Sequence, residues 1–248
     1  MHLRVVIHFT EYGFSYKTNL NNDPGIPGSI FTMDDLQIIE ERCREWIKNK
    51  AVTDSAHDIA HIERVVRSTR EIGKEEQADS EVIIPAAWLH DCIILPKNHP
   101  DREKASTLAA QKAAEFLSTL DFPANKIPAV AHAIEAHSFS AGLAPKTIEA
   151  KIVQDADRLD ALGAIGIARC FSVGGVLNNS MYHPDDPFAK EREPDDSKWT
   201  VDHFYKKLFR LPELLNTDAA KYIARKRIEY MKVFLAQLST EIGSSGLN

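Results

Sequence analysis

The chain has 248 residues and a mass of 27.8 kDa, with 44% hydrophobic and 27% charged residues. That apolar fraction supports a real core and excludes intrinsic disorder, while no uncharged apolar run reaches the roughly 18–20 residues that a membrane-spanning helix needs. Thirty Lys and Arg against thirty-six Asp and Glu give a formal charge of −6, opposite in sign to a protein that grips nucleic-acid backbones; a small anionic substrate stays compatible, because a bound cation reverses the local field.

The first 32 residues differ from the rest. Asn19 to Ser29 is a dense run of turn formers without helical period, and only a short strand near the extreme N-terminus is expected before it. Residues 1–32 read as an irregular tail or an artefact of start-site choice, and 33–248 as a single helical domain. The N-terminus lacks the apolar stretch and cleavage site of a signal peptide. Cys43, Cys92 and Cys170 are odd in number and form no CxxC pair. The chain is therefore expected in a reducing cytoplasm, without disulfides, membrane or nucleic-acid partner; its oligomeric state is not encoded legibly.

From Met33 onward the pattern predicts an all-α fold. Thr32 precedes acidic first-turn residues as an N-cap. A helix over 34–50 places Leu36, Ile39, Cys43, Trp46 and Ile47 on one face. The next, 56–77, buries Ile62, Val65, Val66, Thr69 and Ile72. A third, 80–92, is apolar nearly all round and hence central, with Pro85 early enough to be tolerated. Further helices are expected at 102–119, 125–137, 146–161, 164–171, 199–210 and 217–242. The acidic stretch His183 to Asp196 reads as a solvated connection, with a lid as the alternative.

Ten histidines supply the chemistry-bearing pattern. His57 and His61 share a helical face. His90-Asp91 ends the most apolar helix, where a carboxylate needs a partner or a cation. Asp155, Asp157 and Asp160 lie within six residues of a helix that also carries Ile148, Ile152, Val153, Ala156 and Leu159. Rotation alone does not choose a ligand among the three carboxylates. Two His-Asp dipeptides occur where chance predicts roughly 0.7, so the dipeptide alone carries no weight.

The ordered set carries more. His61 in HIERVV, His90-Asp91 in AAWLHD and Asp157 in DADRLDALGAIGIAR resemble the HD-domain superfamily of metal-dependent phosphohydrolases. HAIEAHSF and the Asp-Pro-Phe segment further resemble its bacterial YedJ-type branch. The resemblance implies an HD-type helical bundle with additional C-terminal helices, and one divalent cation held by His61, His90, Asp91 and Asp157. Two imidazoles and two carboxylates suit Mn, Fe, Co, Ni or Zn better than an all-oxygen Mg cage. It implies hydrolysis of a small phosphorylated molecule, a nucleotide, with nucleoside triphosphate pyrophosphohydrolysis among the reactions; the alternative is a catalytically silent ligand-binding or regulatory module.

The neighbouring residues leave choices open. His57 and Asp58 serve as helix cap or as support for the metal ligands. Arg64 forms an ion pair or a phosphate contact, and Lys97 reaches a phosphate or lies on the surface. His132 and His137 stand where binuclear relatives hold a second metal, but the Gly-Tyr-Pro segment expected there is missing. Phosphate positioning by His137 is preferred over a second metal. Asp155 and Asp160 support the site, or else each is a helix-surface charge or a hydrogen-bond partner of Arg158. Where some branches carry an acidic residue that assists the attacking water, this chain has Ile94 and Leu95. That departure argues against transferring guanosine tetraphosphate or nucleoside monophosphate hydrolysis. Asp91, Lys97 and His137 are the expected catalytic residues, with Asp155 or His137 as the base where the metal-activated water needs one.

Overall fold

The computed structural model of the chain describes residues 6–10, 13–17, 31–49, 59–95, 99–138 and 141–243. Near the N-terminus, β1 (Val6–Thr10) and β2 (Gly13–Lys17) form a two-stranded antiparallel hairpin in which Phe9 registers with Phe14. The expected irregular tail thus contains one regular element; the remainder of 1–30 lies outside the described residues.

The body is all-α: α1 (Met33–Lys48), α2 (Ile59–Glu75), α3 (Ser80–Leu89), α4 (Ala105–Leu117), α5 (Ile127–Glu135), α6 (Ile148–Leu159), α7 (Gly163–Val176), α8 (Asp202–Lys206) and α9 (Asp218–Glu241). Their starts follow from capping chemistry. Thr32 and Asp35 form a reciprocal capping box, and Asp79, Thr147 and Thr217 accept first-turn N–H groups of α3, α6 and α9, which satisfies donors a helix end otherwise leaves orphaned.

Helix α3 is the hub. Its eight residues Val82–Leu89 are all buried, and it packs against α1, α2, α5 and α6. Each large apolar side chain so placed contributes about 1.5–3 kcal/mol. The helix stops at Leu89 rather than continuing to 92, so His90 and Asp91 emerge from the end of this buried, many-sided element. Helix α6 packs on α2, α3 and α5 through one side and on α9 through another, so both flanks of that helix are covered.

Two other boundaries differ from expectation. Helix α7 runs on to Val176, and in its added stretch Gly174 makes room for Thr200, whose side chain a Cβ there would clash with. The predicted helix 199–210 is instead α8 followed by a 3₁₀ segment, Leu208–Leu214, containing Pro212, which cannot donate to an α ladder. The acidic connection is pinned down: Arg192 reaches the fully buried Asp202 (Nη2–Oδ1 2.7 Å), and the backbone N–H groups of Lys190 and Glu191 both donate to Asp186 at 3.0 Å. Among the described residues no single helix is long and apolar enough to cross a membrane.

Candidate metal centre

Three helices deliver the cluster. His61 comes from the first turn of α2, His90 and Asp91 from the end of α3, and Asp157 from the last turns of α6. His61 Nε2 lies 3.4 Å from Asp157 Oδ1 and 3.7 Å from Asp91 Oδ2, and His90 Nε2 lies 3.6 Å from the same Asp91 oxygen. One ligand atom each from His61, His90 and Asp91 falls within 4.8 Å of the others, a group that could hold a metal ion.

The ring orientations are set from behind. His90 Nδ1–H donates to the Ala87 carbonyl at 2.7 Å, and a carbonyl can only accept, so Nε2 carries the lone pair that faces the cluster. That Nε2 is buried and makes no hydrogen bond to any described residue. Leaving such an atom unsatisfied costs on the order of 1–3 kcal/mol, a cost that a coordinated cation removes. His61 Nδ1 is 2.8 Å from Asp160 Oδ2. Asp160 in turn receives Arg64 through Nε (2.7 Å) and Nη2 (3.0 Å), and also Arg169 from α7. An imidazole backed by a carboxylate is a familiar arrangement for a metal-binding histidine.

The electrostatics are those of a cation site. Burial alone would drive the proton off His61, but the carboxylates of Asp157, Asp160 and Asp91 outweigh it and lift its pKa to about 9. For Asp157 burial works upward, yet hydrogen bonding to His61 and the charge of the nearby histidines hold its carboxyl below the usual range. Burial pushes His90 down. His61 therefore keeps a proton at neutral pH, in a place where a cation would substitute for it.

His137, just past α5, belongs to the same assembly. Its Nδ1–H donates to the Ile134 carbonyl (2.6 Å), Nε2 lies 3.4 Å from Asp91 Oδ1, and its ring is 4.9 Å from that of His90. Burial opposes its protonation, but Asp91 raises its pKa. Beside these groups opens a cavity of about 170 Å³, lined by Asp91, His137 and Asp157 together with Ile93, Ile94, Leu95, Arg102, Ala105, Ser106 and Ser138. A larger cleft of about 530 Å³, between α1 and the end of α4, contains none of these histidines.

Other candidates go elsewhere. Asp155 does not face the cluster, which corrects its reading as a base or support: it is fully buried toward α9, and its oxygens accept the N–H and side chains of Asn216 and Thr217 at 2.8–3.0 Å. His132 is likewise removed, since its Nε2 accepts the Lys146 N–H at 3.0 Å. Arg158 reaches the Leu214 carbonyl rather than Asp160. Arg64 makes the Asp160 ion pair. His57, Asp58 and Lys97 lie outside the described residues. The sequence reading missed Arg169, whose pairing with Asp160 depends on the chain turning at Leu162 and Gly163, where Gly163 has φ +75°.

Comparison with known proteins gives the family and the fold. The family model described as HD domain matches residues 58–162. The chain is 33% identical over 207 residues to the uncharacterized protein YpgQ of Bacillus subtilis, covering 82% of this chain and 93% of that one. It is similar to a crystal structure of YpgQ in complex with ADP, with 30% identity, TM-score 0.64 and coverage of 83% and 96%. A structure of an HD-superfamily hydrolase from Bacillus thuringiensis gives 33% identity, TM-score 0.66 and coverage of 85% and 100%. Fold and site define a metal-dependent phosphohydrolase. The chain belongs to the HD domain family.

Proposed function

We propose that the protein hydrolyses a small phosphorylated substrate, a nucleotide, and that pyrophosphohydrolysis of nucleoside triphosphates is its reaction. The observation that carries this reading is the convergence of His61, His90, Asp91 and Asp157 beside a cavity, with a buried imidazole nitrogen left for a ligand. These four residues hold one divalent transition metal, of the Mn, Fe, Co, Ni or Zn type. When bound, such a cation supplies Lewis-acid activation of water and of a phosphoryl oxygen. The ADP held by YpgQ, a similar protein, supports a phosphorylated ligand of nucleotide size.

The chain's own side chains do the rest. Asp160 holds His61 in its tautomer, with Arg64 and Arg169 fixing the carboxylate in turn. His137 presents its Nε2 edge to Asp91 at the cavity and is the group placed to hold or pass a proton there. Asp155 takes no part as a base, because donors from the α9 side occupy its oxygens. Ile94 and Leu95 line the cavity where some relatives carry an acid, so they exclude water rather than activate it.

The test is to strip the protein of metal, titrate back Mn²⁺, Co²⁺, Ni²⁺ and Zn²⁺ separately, and assay nucleoside tri-, di- and monophosphates beside simple phosphoesters. Release of pyrophosphate from triphosphates is the expected product. Absence of turnover with every metal and substrate would defeat the reading.

A further inference from the structure

The cavity beside the cluster carries a specificity. Arg102 is the only Lys or Arg side chain lining it among the described residues. It stands in the 3₁₀ turn Arg102–Lys104 that leads directly into α4, and Nη1 donates to the Leu95 carbonyl at 3.0 Å. That bond ties the guanidinium to the segment after Asp91, which lines the same cavity. No described carboxylate forms an ion pair with it, unlike Arg64, Arg169 and Arg192. An arginine without a described carboxylate partner, lining the same cavity as Asp91 and Asp157, is the counter-charge for an anion that reaches a cation held by those carboxylates.

One turn further on, Ser106 lines the same cavity. It is 3% exposed, and its buried Oγ has no hydrogen-bond partner among the described residues. A buried hydroxyl without a partner is uncommon and calls for a ligand or a water. The two groups come from the positive end of α4, whose backbone dipole favours negative charge at the same place.

Size adds a second constraint. At about 170 Å³ the cavity is smaller than the roughly 300–1,000 Å³ that buries a whole drug-sized ligand. It accommodates a phosphate chain and leaves a nucleoside outside, beyond the apolar rim of Ile93, Ile94 and Leu95.

We infer that Arg102 and Ser106 form the subsite for the phosphate chain of the substrate, in the cavity they share with Asp91 and Asp157, and that the protein selects for that chain rather than for the base. This rests on the phosphohydrolase reading above. Arg102 acts by binding the anion, with Ser106 as a neutral donor at the end of the same site.

Calorimetric titration of the Mn²⁺-loaded protein with inorganic pyrophosphate and triphosphate tests the subsite without turnover. Arg102→Gln, which removes the charge, is expected to weaken both by about 10–100-fold, the range for a charge-assisted hydrogen bond, with Mn²⁺ affinity and melting temperature unchanged. Arg102→Lys should recover part of the loss, and Ser106→Ala should weaken binding by a few-fold. In kinetics, KM for ATP and GTP should rise together, by similar factors. Wild-type pyrophosphate affinity in Arg102→Gln, or loss of Mn²⁺ along with pyrophosphate, overturns the subsite. Unequal KM changes for ATP and GTP overturn the claim about the base. If wild-type protein turns over no phosphorylated compound, the underlying phosphohydrolase reading fails instead. Should Arg102→Gln not fold, Ser106→Ala decides, since it deletes one oxygen: unchanged pyrophosphate affinity there overturns the subsite.

Discussion

Helix α6 places two carboxylates two residues apart in opposite situations, Asp155 fully buried and Asp157 half-buried. Asp155 turns toward α9 and is saturated: the N–H groups of Asn216 and Thr217, the Asn216 amide and the Thr217 hydroxyl all donate to it. Asp157 turns toward α2 and α3, into a cluster with three histidines and Asp91, where His90 Nε2 makes no hydrogen bond to any described residue. The polar cluster whose valences the chain itself fills is a latch, and the one left open is a site. Burial alone does not separate them, because the latch is the more buried of the two.

Metal-ligand substitutions press this contrast hardest. Asp157→Ala should lower metal affinity by more than about 100-fold, beyond the 10–100-fold that losing a mere supporting partner brings. The metal-free variant should stay folded but melt somewhat below the wild type at neutral pH, because Asp157 is the partner that most favours protonated His61. Equilibrium dialysis and calorimetric melting check both halves. Retention of stoichiometric metal in this variant would break the assignment of Asp157.

Asp155→Ala should do the reverse. It orphans several donors in a dry interface, so about 3 kcal/mol of stability should go, a drop in Tm on the order of 10 °C for a chain of this size. Metal affinity of the folded protein should remain that of the wild type. A large change in metal affinity with unaltered Tm would invert the comparison.

Asp160 lies between the extremes, since it supports a ligand and is itself buried. Asp160→Asn keeps the shape but loses the negative charge that orients His61 and gathers Arg64 and Arg169. Metal affinity should fall by about tenfold, the lower end for an outer partner, together with a modest loss of stability. Titration of the stripped variant with Mn²⁺ measures it.

How much of this the sequence shows depends on where each partner sits. His61, His90, Asp91 and Asp157 are legible because their order and local strings survive as a motif, and α3 is legible because an apolar run has few other places to go. Asp155 is not: its side chain is satisfied by Asn216 and Thr217, some sixty residues downstream, and only the docking of α9 brings them within reach. Rotation about α6 ranks the three aspartates against one buried face, whereas the helix is covered on two. His132 misleads for a similar reason, being placed by an accident of spacing and then used by the Lys146 backbone. Arg102 offers no local signal, since the open cavity beside it arises from four separate segments.

The smallest and most diagnostic effect concerns protons. In the metal-free protein, neighbouring carboxylates raise the pKa of His61 to about 9 against an ordinary value of 6.5. A pKa raised by folding stabilises the fold fully below about 6.5, and that contribution disappears as pH climbs through about 9. A cation competes with the same proton, so its binding should release one proton between those limits, and apparent affinity should rise about tenfold per pH unit before levelling near pH 9. Calorimetry in buffers of differing ionisation enthalpy counts the proton. In Asp157→Asn, where the hydrogen bond that most favours protonated His61 is weakened, proton release should move to lower pH. The Asp155 latch touches none of these groups, so Asp155→Asn should leave the proton count and its pH range as they are. A shift there would mean that the two faces of α6 are coupled, and that the open cluster draws on the closed one.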